Sequence, residues 1–388
     1  MSSTGDVAAS RSGSARPPSA TVGGSASSGV RSGRLGWAAY VAASWSLLYG
    51  LLGLYWSFGG EGFPFGPVGD PLGARVSLLE SARRDVAAPV IAALGLVGAL
   101  SAMLMARSRM RGLPGAALLS VASAAAVTLT LVIPDYRPLM AVGRTPVFLV
   151  GRSLFDWPKG VEFFGPGMFD WPVLNQFLLI GGGLAWAATA VAYRRRGRGA
   201  CGACGRNGDV LTGWATPAGA ARWGRWAVAV AVAVPLLYAL TRWAVALAIP
   251  LGYATEDIRE EARESPGIWW AGAGLATFGA AGAVLTLGLV QRWGEVYPRW
   301  IPHLRGKPVR PRTAIVPASL VTVIVTEAGL MFNRALILGH NPDGGGKIID
   351  LVLTAPSQLW TLWGLALGAA TLAYYLRRRG RCGSCGHR

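Results

Sequence analysis

The chain has 388 residues, of which 52% are hydrophobic and only 14% charged, whereas an ordinary soluble domain is about a quarter charged. Its mean hydropathy is positive, which excludes a plain water-soluble globule and points to a bilayer. The formal net charge of +18 does not indicate nucleic acid, because the basic residues fall between apolar runs and not along one face or one helix.

Residues 1–36 are rich in Ser, Gly, Ala and Arg, hold too few large apolar side chains to offset the entropy of ordering, and are expected to form a disordered tail. The first apolar run, about 22 residues, is too long for a signal-peptide core, and no small-residue cleavage site follows it. A helix needs about 20 apolar residues to cross the hydrocarbon, since each backbone amide must be satisfied within the segment. Eight stretches meet that requirement: Trp37–Phe58, Ala87–Met105, Gly115–Ile133, Val173–Tyr193, Trp226–Ile249, Ile268–Val290, Ala314–Phe332 and Ser357–Leu376. The third is the weakest, being rich in Ala, Ser and Thr, and Pro235 is expected to kink the fifth.

With the N-terminus placed in the cytoplasm, the inner loops and tails hold 25 of the 37 Lys/Arg and the outer loops 11, with Arg242 inside the fifth crossing. Acidic residues divide the other way, so the positive-inside rule places both termini in the cytoplasm.

The stretch from Tyr193 to Arg206 reappears from Tyr375 to Arg388, each copy following an apolar run with an arginine cluster and a cysteine pair. Leu47-Leu48-Tyr49 is matched by Leu236-Leu237-Tyr238, Trp37 by Trp226, and Pro71-Leu72-Gly73 by Pro250-Leu251-Gly252. The pattern predicts an all-α polytopic membrane protein of two tandem four-helix repeats. Its parts are a tail at 1–36, a first repeat at 37–206, a cytoplasmic linker at 207–225 and a second repeat at 226–388. Four crossings per unit is an even number, so the repeats are parallel and related by a pseudo-two-fold axis along the membrane normal.

Each cysteine pair is spelled Cys-Gly-x-Cys-Gly: Cys201 and Cys204 in the first copy, Cys382 and Cys385 in the second. Glycines after both cysteines allow tight folding and aim amides at the sulfurs, as in zinc knuckles, and two knuckles supply the four thiolates of a tetrahedral Zn²⁺ site. Gly183-x-x-x-Ala187 and Gly364-x-x-x-Gly368 are expected to bring the fourth and eighth crossings together, so that one ion clamps the halves. Two other readings stand beside the clamp: a dithiol–disulfide couple, opposed by the helix C-termini beside the thiols, and tails that hold nothing.

Arg242 and Glu327 are the two ionisable residues inside the expected crossings, at similar depth in the outer half, and are read as a candidate charge pair. The basic, Trp- and Tyr-bearing stretch from Arg292 to Pro311 suits contact with anionic lipid head groups, and Glu295 and His303 in it are weaker binding candidates. Phe155-Asp156-Trp157-Pro158 is echoed by Phe169-Asp170-Trp171-Pro172, where Asp170 is expected to cap the fourth crossing with Pro172 in its first turn. The histidines lie outside the crossings, so no haem-binding bundle is indicated. Zinc-protease, hydrolase-elbow and phosphate-loop motifs are missing, the Gly-rich stretch from His340 to Lys347 reads as a turn, and Glu260-Glu261 lacks the helical histidines of a membrane protease.

The alanine-, arginine- and glycine-heavy style, with Trp293-Gly-Glu-Val-Tyr-Pro-Arg-Trp-Ile-Pro302, resembles uncharacterised polytopic membrane proteins of actinobacteria. That resemblance implies a plasma-membrane location and no activity. A transporter-like or scaffolding role without catalysis is the leading expectation, a thiol-redox protein the alternative from another class, and a protein partner in a neighbouring membrane complex a third.

Overall fold

The computed structural model describes residues 36–66, 77–79, 81–155, 169–208, 213–249, 268–299, 301–338 and 355–386, with Arg259 and Arg263. The expected disordered tail, the first Phe-Asp-Trp-Pro copy after Phe155, Glu260-Glu261 and the stretch from His340 to Lys347 lie outside the described residues. Nine α-helices occur among the described residues: α1 (Ala38–Ser57), α2 (Arg84–Arg107), α3 (Gly112–Val127), α4 (Arg137–Phe155), α5 (Trp171–Gly197), α6 (Pro217–Ala246), α7 (Ile268–Leu287), α8 (Pro311–Ile337) and α9 (Trp360–Arg377). A π turn, Thr128–Val132, extends α3 without a break in direction, its signature being the Ile133 amide donating to the Thr128 carbonyl.

Six helices are long and apolar enough to cross a membrane by length and composition: α1, α2, α3 with its π turn, α5, α6 and α8. The expected sixth and eighth crossings correspond to α7 and α9. Helix α7 contains the apolar stretch Gly272–Leu287, and α9 is an 18-residue helix whose two Trp, two Tyr and terminal Arg lower its hydropathy. The segment read from sequence as the outer loop before the fourth crossing contains α4. Its buried Pro138, Ala141, Phe148 and Gly151 share one face at helical spacing, with Arg144 and Arg152 exposed. The fifth crossing also begins earlier than its apolar run, because Thr216 accepts from the Gly219 amide and starts α6 inside the expected linker.

Packing follows the logic of lipid, where no hydrophobic force draws helices together and small side chains permit close contact. In α2 the buried positions include Ala88, Ala92 and Ala102, while Val86, Val90, Leu94, Val97 and Leu100 are exposed. A side chain could not enter the α1–α2 contact: a Cβ built on Gly53 falls 2.5 Å from the Ala92 nitrogen, and one on Gly95 falls 2.5 Å from the Gly50 Cα. The α8–α9 contact is equally tight, since a Cβ on Gly329 would lie 2.1 Å from the Thr361 nitrogen. Gly329→Ala is therefore expected to lower thermal stability by about 1–3 kcal/mol, because backbone and not a flexible side chain must move. Gly181→Ala, in α5 with nothing within 4 Å of a built Cβ, is the control and should match or exceed the parent in the same melting experiment.

The helices pair in the same way in both parts of the chain. In the first, α1 packs on α2 and α5, and α5 on α3; in the second, α6 packs on α7 and α9, and α9 on α8. The apolar clusters correspond too. Ala42, Ala43, Met105, Ala122, Trp186 and Tyr193 fill one end of the first part, and Val228, Ala231, Leu289, Leu367, Ala370 and Tyr374 the same end of the second. Between the parts, Tyr136 and Leu139 of the first pack into the cluster of Val234, Val325, Ala328 and Trp360 in the second, and α8 packs against the π turn.

Candidate metal centre

Helix α5 ends at Gly197, with three arginines in its last turn and Arg198 as its cap, and the chain turns at Gly199 into the first cysteine pair. The Gly205 amide donates to the Cys201 carbonyl at 2.7 Å, closing a turn that requires φ +75° at Gly205. The second pair repeats this after α9: the Gly386 amide donates to the Cys382 carbonyl at 2.8 Å, with φ +73° at Gly386. Only glycine adopts that conformation without strain, which is why each pair ends in one. Arg195 braces the first turn by donating to the Gly202 carbonyl at 3.2 Å, and Arg206 reaches across to the Gly380 carbonyl at 3.3 Å.

The two turns meet. Cys201 Sγ lies 4.0 Å from Cys382 Sγ, Cys204 Sγ lies 3.5 Å from Cys385 Sγ, and all four sulfurs fall within 4.8 Å of one another. A zinc ion with Zn–S bonds of about 2.3 Å sets its sulfurs about 3.8 Å apart, so the cluster matches the edge of a tetrahedral thiolate site. All four cysteines are half-buried and unbridged. Backbone amides lower the Cys201 thiol, that of Cys204 most strongly, and the Ser384 and Cys385 amides hold Cys382 at about 6. Desolvation pushes Cys204 up to about 12, with the neighbouring sulfurs adding to the rise. A cation among the sulfurs would relieve that rise and would take all four as thiolates. The net charge of two negatives on such a site would be answered by the arginines at the ends of α5 and α9.

One device around this centre escaped the sequence reading. The Tyr193 hydroxyl donates to the Met110 carbonyl at 3.2 Å, and Arg196 donates to the Met105 and Ala106 carbonyls at 2.6 and 3.1 Å, closing the C-terminal end of α2. Likewise the Tyr374 hydroxyl donates to the Gly294 carbonyl at 2.7 Å, and Arg377 donates to the Leu289 carbonyl just beyond α7. Each arginine also lies over its own tyrosine ring, at 5.8 Å in the first part and 6.0 Å in the second. The match thus runs Tyr193 to Tyr374, not to Tyr375, in the same register as the cysteines. The signal was present as Tyr-x-x-Arg just before each Cys pair, one helical turn apart.

Gly183 and Gly364 do not join α5 to α9. A Cβ on Gly183 would meet Thr130 Cγ2 at 2.5 Å in the π turn, and one on Gly364 would meet Thr326 Oγ1 at 2.1 Å in α8, so each serves the contact inside its own part. Asp170 does cap α5, accepting from the Val173 amide at 3.2 Å, with Pro172 in the first turn. Glu295 pairs with Arg377 at 3.3 Å and Arg378 at 4.0 Å, which makes it a brace of the loop between α7 and α8. Arg242 and Glu327 do not pair: the guanidinium lies 5.1 Å from the centre of the Tyr238 ring, while both Glu327 oxygens are buried without a hydrogen-bond partner.

No family model, curated protein or solved structure matches the chain.

Proposed function

We propose that this is an integral plasma-membrane protein of eight crossings, built from two tandem parallel four-helix units whose cytoplasmic ends are clamped by one structural Zn²⁺ on Cys201, Cys204, Cys382 and Cys385. The observation that carries this reading is the meeting of four sulfurs from two distant Cys-x-x-Cys turns within 4.8 Å. The matched helix pairing and the matched Tyr–Arg carbonyl contacts support the duplication. In it α7 and α9 supply the remaining crossings, and α4 lies as an amphipathic helix at the outer surface, bridging the units. Positive loops on the knuckle side keep both termini cytoplasmic and draw anionic lipid head groups. The resemblance to actinobacterial membrane proteins agrees with that location.

Duplicated membrane units commonly hold their sites at the seam between them, so the role is transporter-like or scaffolding and not catalytic. Purified protein should contain one zinc per chain, and its thiols should resist alkylation until a strong chelator is added. Protein that lacks zinc and alkylates at all four cysteines rejects the clamp. A thiol-redox role is favoured by the low position of Cys382. That reading predicts a cross-unit disulfide on mild oxidation, with folding indifferent to metal.

A further inference from the structure

Glu327 is wholly buried in α8, and neither carboxylate oxygen has a hydrogen-bond partner. An isolated charge in hydrocarbon is costly, so an ionised carboxylate is tolerated there only when a counter-charge accompanies it. Among the described residues no guanidinium donates to it: Arg242 is on Tyr238, and Arg137 is held by Asp135.

The position of this carboxyl is set by the packing. Gly183 locates Thr130 and Gly364 locates Thr326 at matched points of the two units, so Glu327 stands one residue beyond the point that corresponds to the centre of the π turn. Helix α8 packs against that turn, and the reading of two matched units then puts Glu327 and the π turn at corresponding levels of the seam. A π turn withdraws a carbonyl from the regular ladder and recurs at functional sites, and irregular backbone beside a carboxylate is how duplicated carriers hold small cations. Further polar atoms at this end of the seam also lack partners, namely Trp360 Nε1 and Gln358 Oε1.

We propose that Glu327 binds an exchangeable small monovalent cation, a proton or a sodium ion, at the seam between the units. The proposal rests on the two-unit membrane reading but not on zinc. Of the charged and titratable groups on the elements packed here, Asp135 acts on the carboxyl, Tyr136 and Tyr238 pack into the cluster of Val325 and Ala328 that flanks it, Arg137 is bound to Asp135, Arg242 lies over Tyr238, and Arg334 follows on the same helix. Asp135 is close enough to act on Glu327 electrostatically but is itself engaged by Arg137 and Ser77.

The test uses dicyclohexylcarbodiimide on the full-length protein in detergent. This apolar reagent takes the proton of a carboxylic acid onto one nitrogen while the carboxylate oxygen bonds to its carbon; the acyl group then migrates to the other nitrogen as a stable N-acylurea. Peptide mass spectrometry should find the adduct on Glu327, absent in Glu327→Gln and kept in Glu327→Asp. If the cation is the proton, labelling falls several-fold as pH rises and ignores sodium. If it is sodium, labelling also falls several-fold when sodium replaces choline at constant pH and ionic strength. Glu327 unlabelled at every pH, or labelled equally under all these conditions, overturns the proposal. Zinc-free protein with cation-sensitive labelling would reject the clamp and leave this site standing.

Discussion

Replacing Cys385 with Ser should release the zinc and lower stability by on the order of 4 kcal/mol, the linkage expected when free metal exceeds its Kd about a thousandfold. A hydroxyl does not deprotonate to replace a thiolate, so three sulfurs remain around the cation and the tetrahedral shell opens. Because metal binding displaces protons from the thiols, occupancy should also fall on acidification. The thiolates are lost progressively as pH drops, Cys382 holding out to about 6, while Cys204, pushed to about 12 without metal, loses its proton to solvent only when the ion takes its sulfur. Metal content and melting temperature read together check this. A Cys385→Ser protein that keeps both would sink the clamp.

Arg137→Ala is expected to cost about 3–5 kcal/mol, because it leaves the wholly buried Asp135 without its counter-charge. The guanidinium donates to Asp135 through Nη2 at 2.6 Å and Nε at 3.1 Å, and the Arg137 amide adds a third bond at 2.9 Å. Ser77 donates to the same carboxylate at 2.9 Å, and the Asp135 amide donates to Gln176 on α5 at 3.2 Å, so the pair fixes the corner from which α4 departs. Arg137→Lys should fall between, keeping the charge but not the fork. Adding Asp135→Asn to Arg137→Ala should recover part of the loss. Detergent melting curves for the four proteins measure it, and a single Arg137→Ala variant that melts like its parent would refute the account.

Much of the helical architecture is legible in the chain because lipid imposes one rule, a long run of apolar residues, and such runs can be counted. The four-cysteine cluster is legible for a similar reason: Cys-Gly-x-Cys-Gly encodes a local turn, and the same turn recurs after two apolar helices. What escapes is contact between distant segments. Arg137, Arg144, Arg152 and two prolines break the apolar run of α4, so a count of apolar residues does not show its helical period. Gly183 and Gly364 announce that some backbone comes close, yet the spacing of small residues is silent on whether the neighbour is α3, α8 or the other unit. Arg242 and Glu327 have similar expected depths, but depth leaves rotation about the helix axis open, and rotation puts one on Tyr238 and leaves the other buried without a hydrogen-bond partner.

The π turn has a consequence for how such a molecule could have arisen. Two identical subunits meeting on a rotation axis must present the same groups there twice, so a carboxyl on one side would confront its own image. A single polypeptide escapes that constraint: it can retain mirrored cysteines, where fourfold ligation rewards sameness, while one half supplies loosened backbone and the other an acid. On the proposed two-unit reading, joining the copies end to end would permit such a lopsided centre.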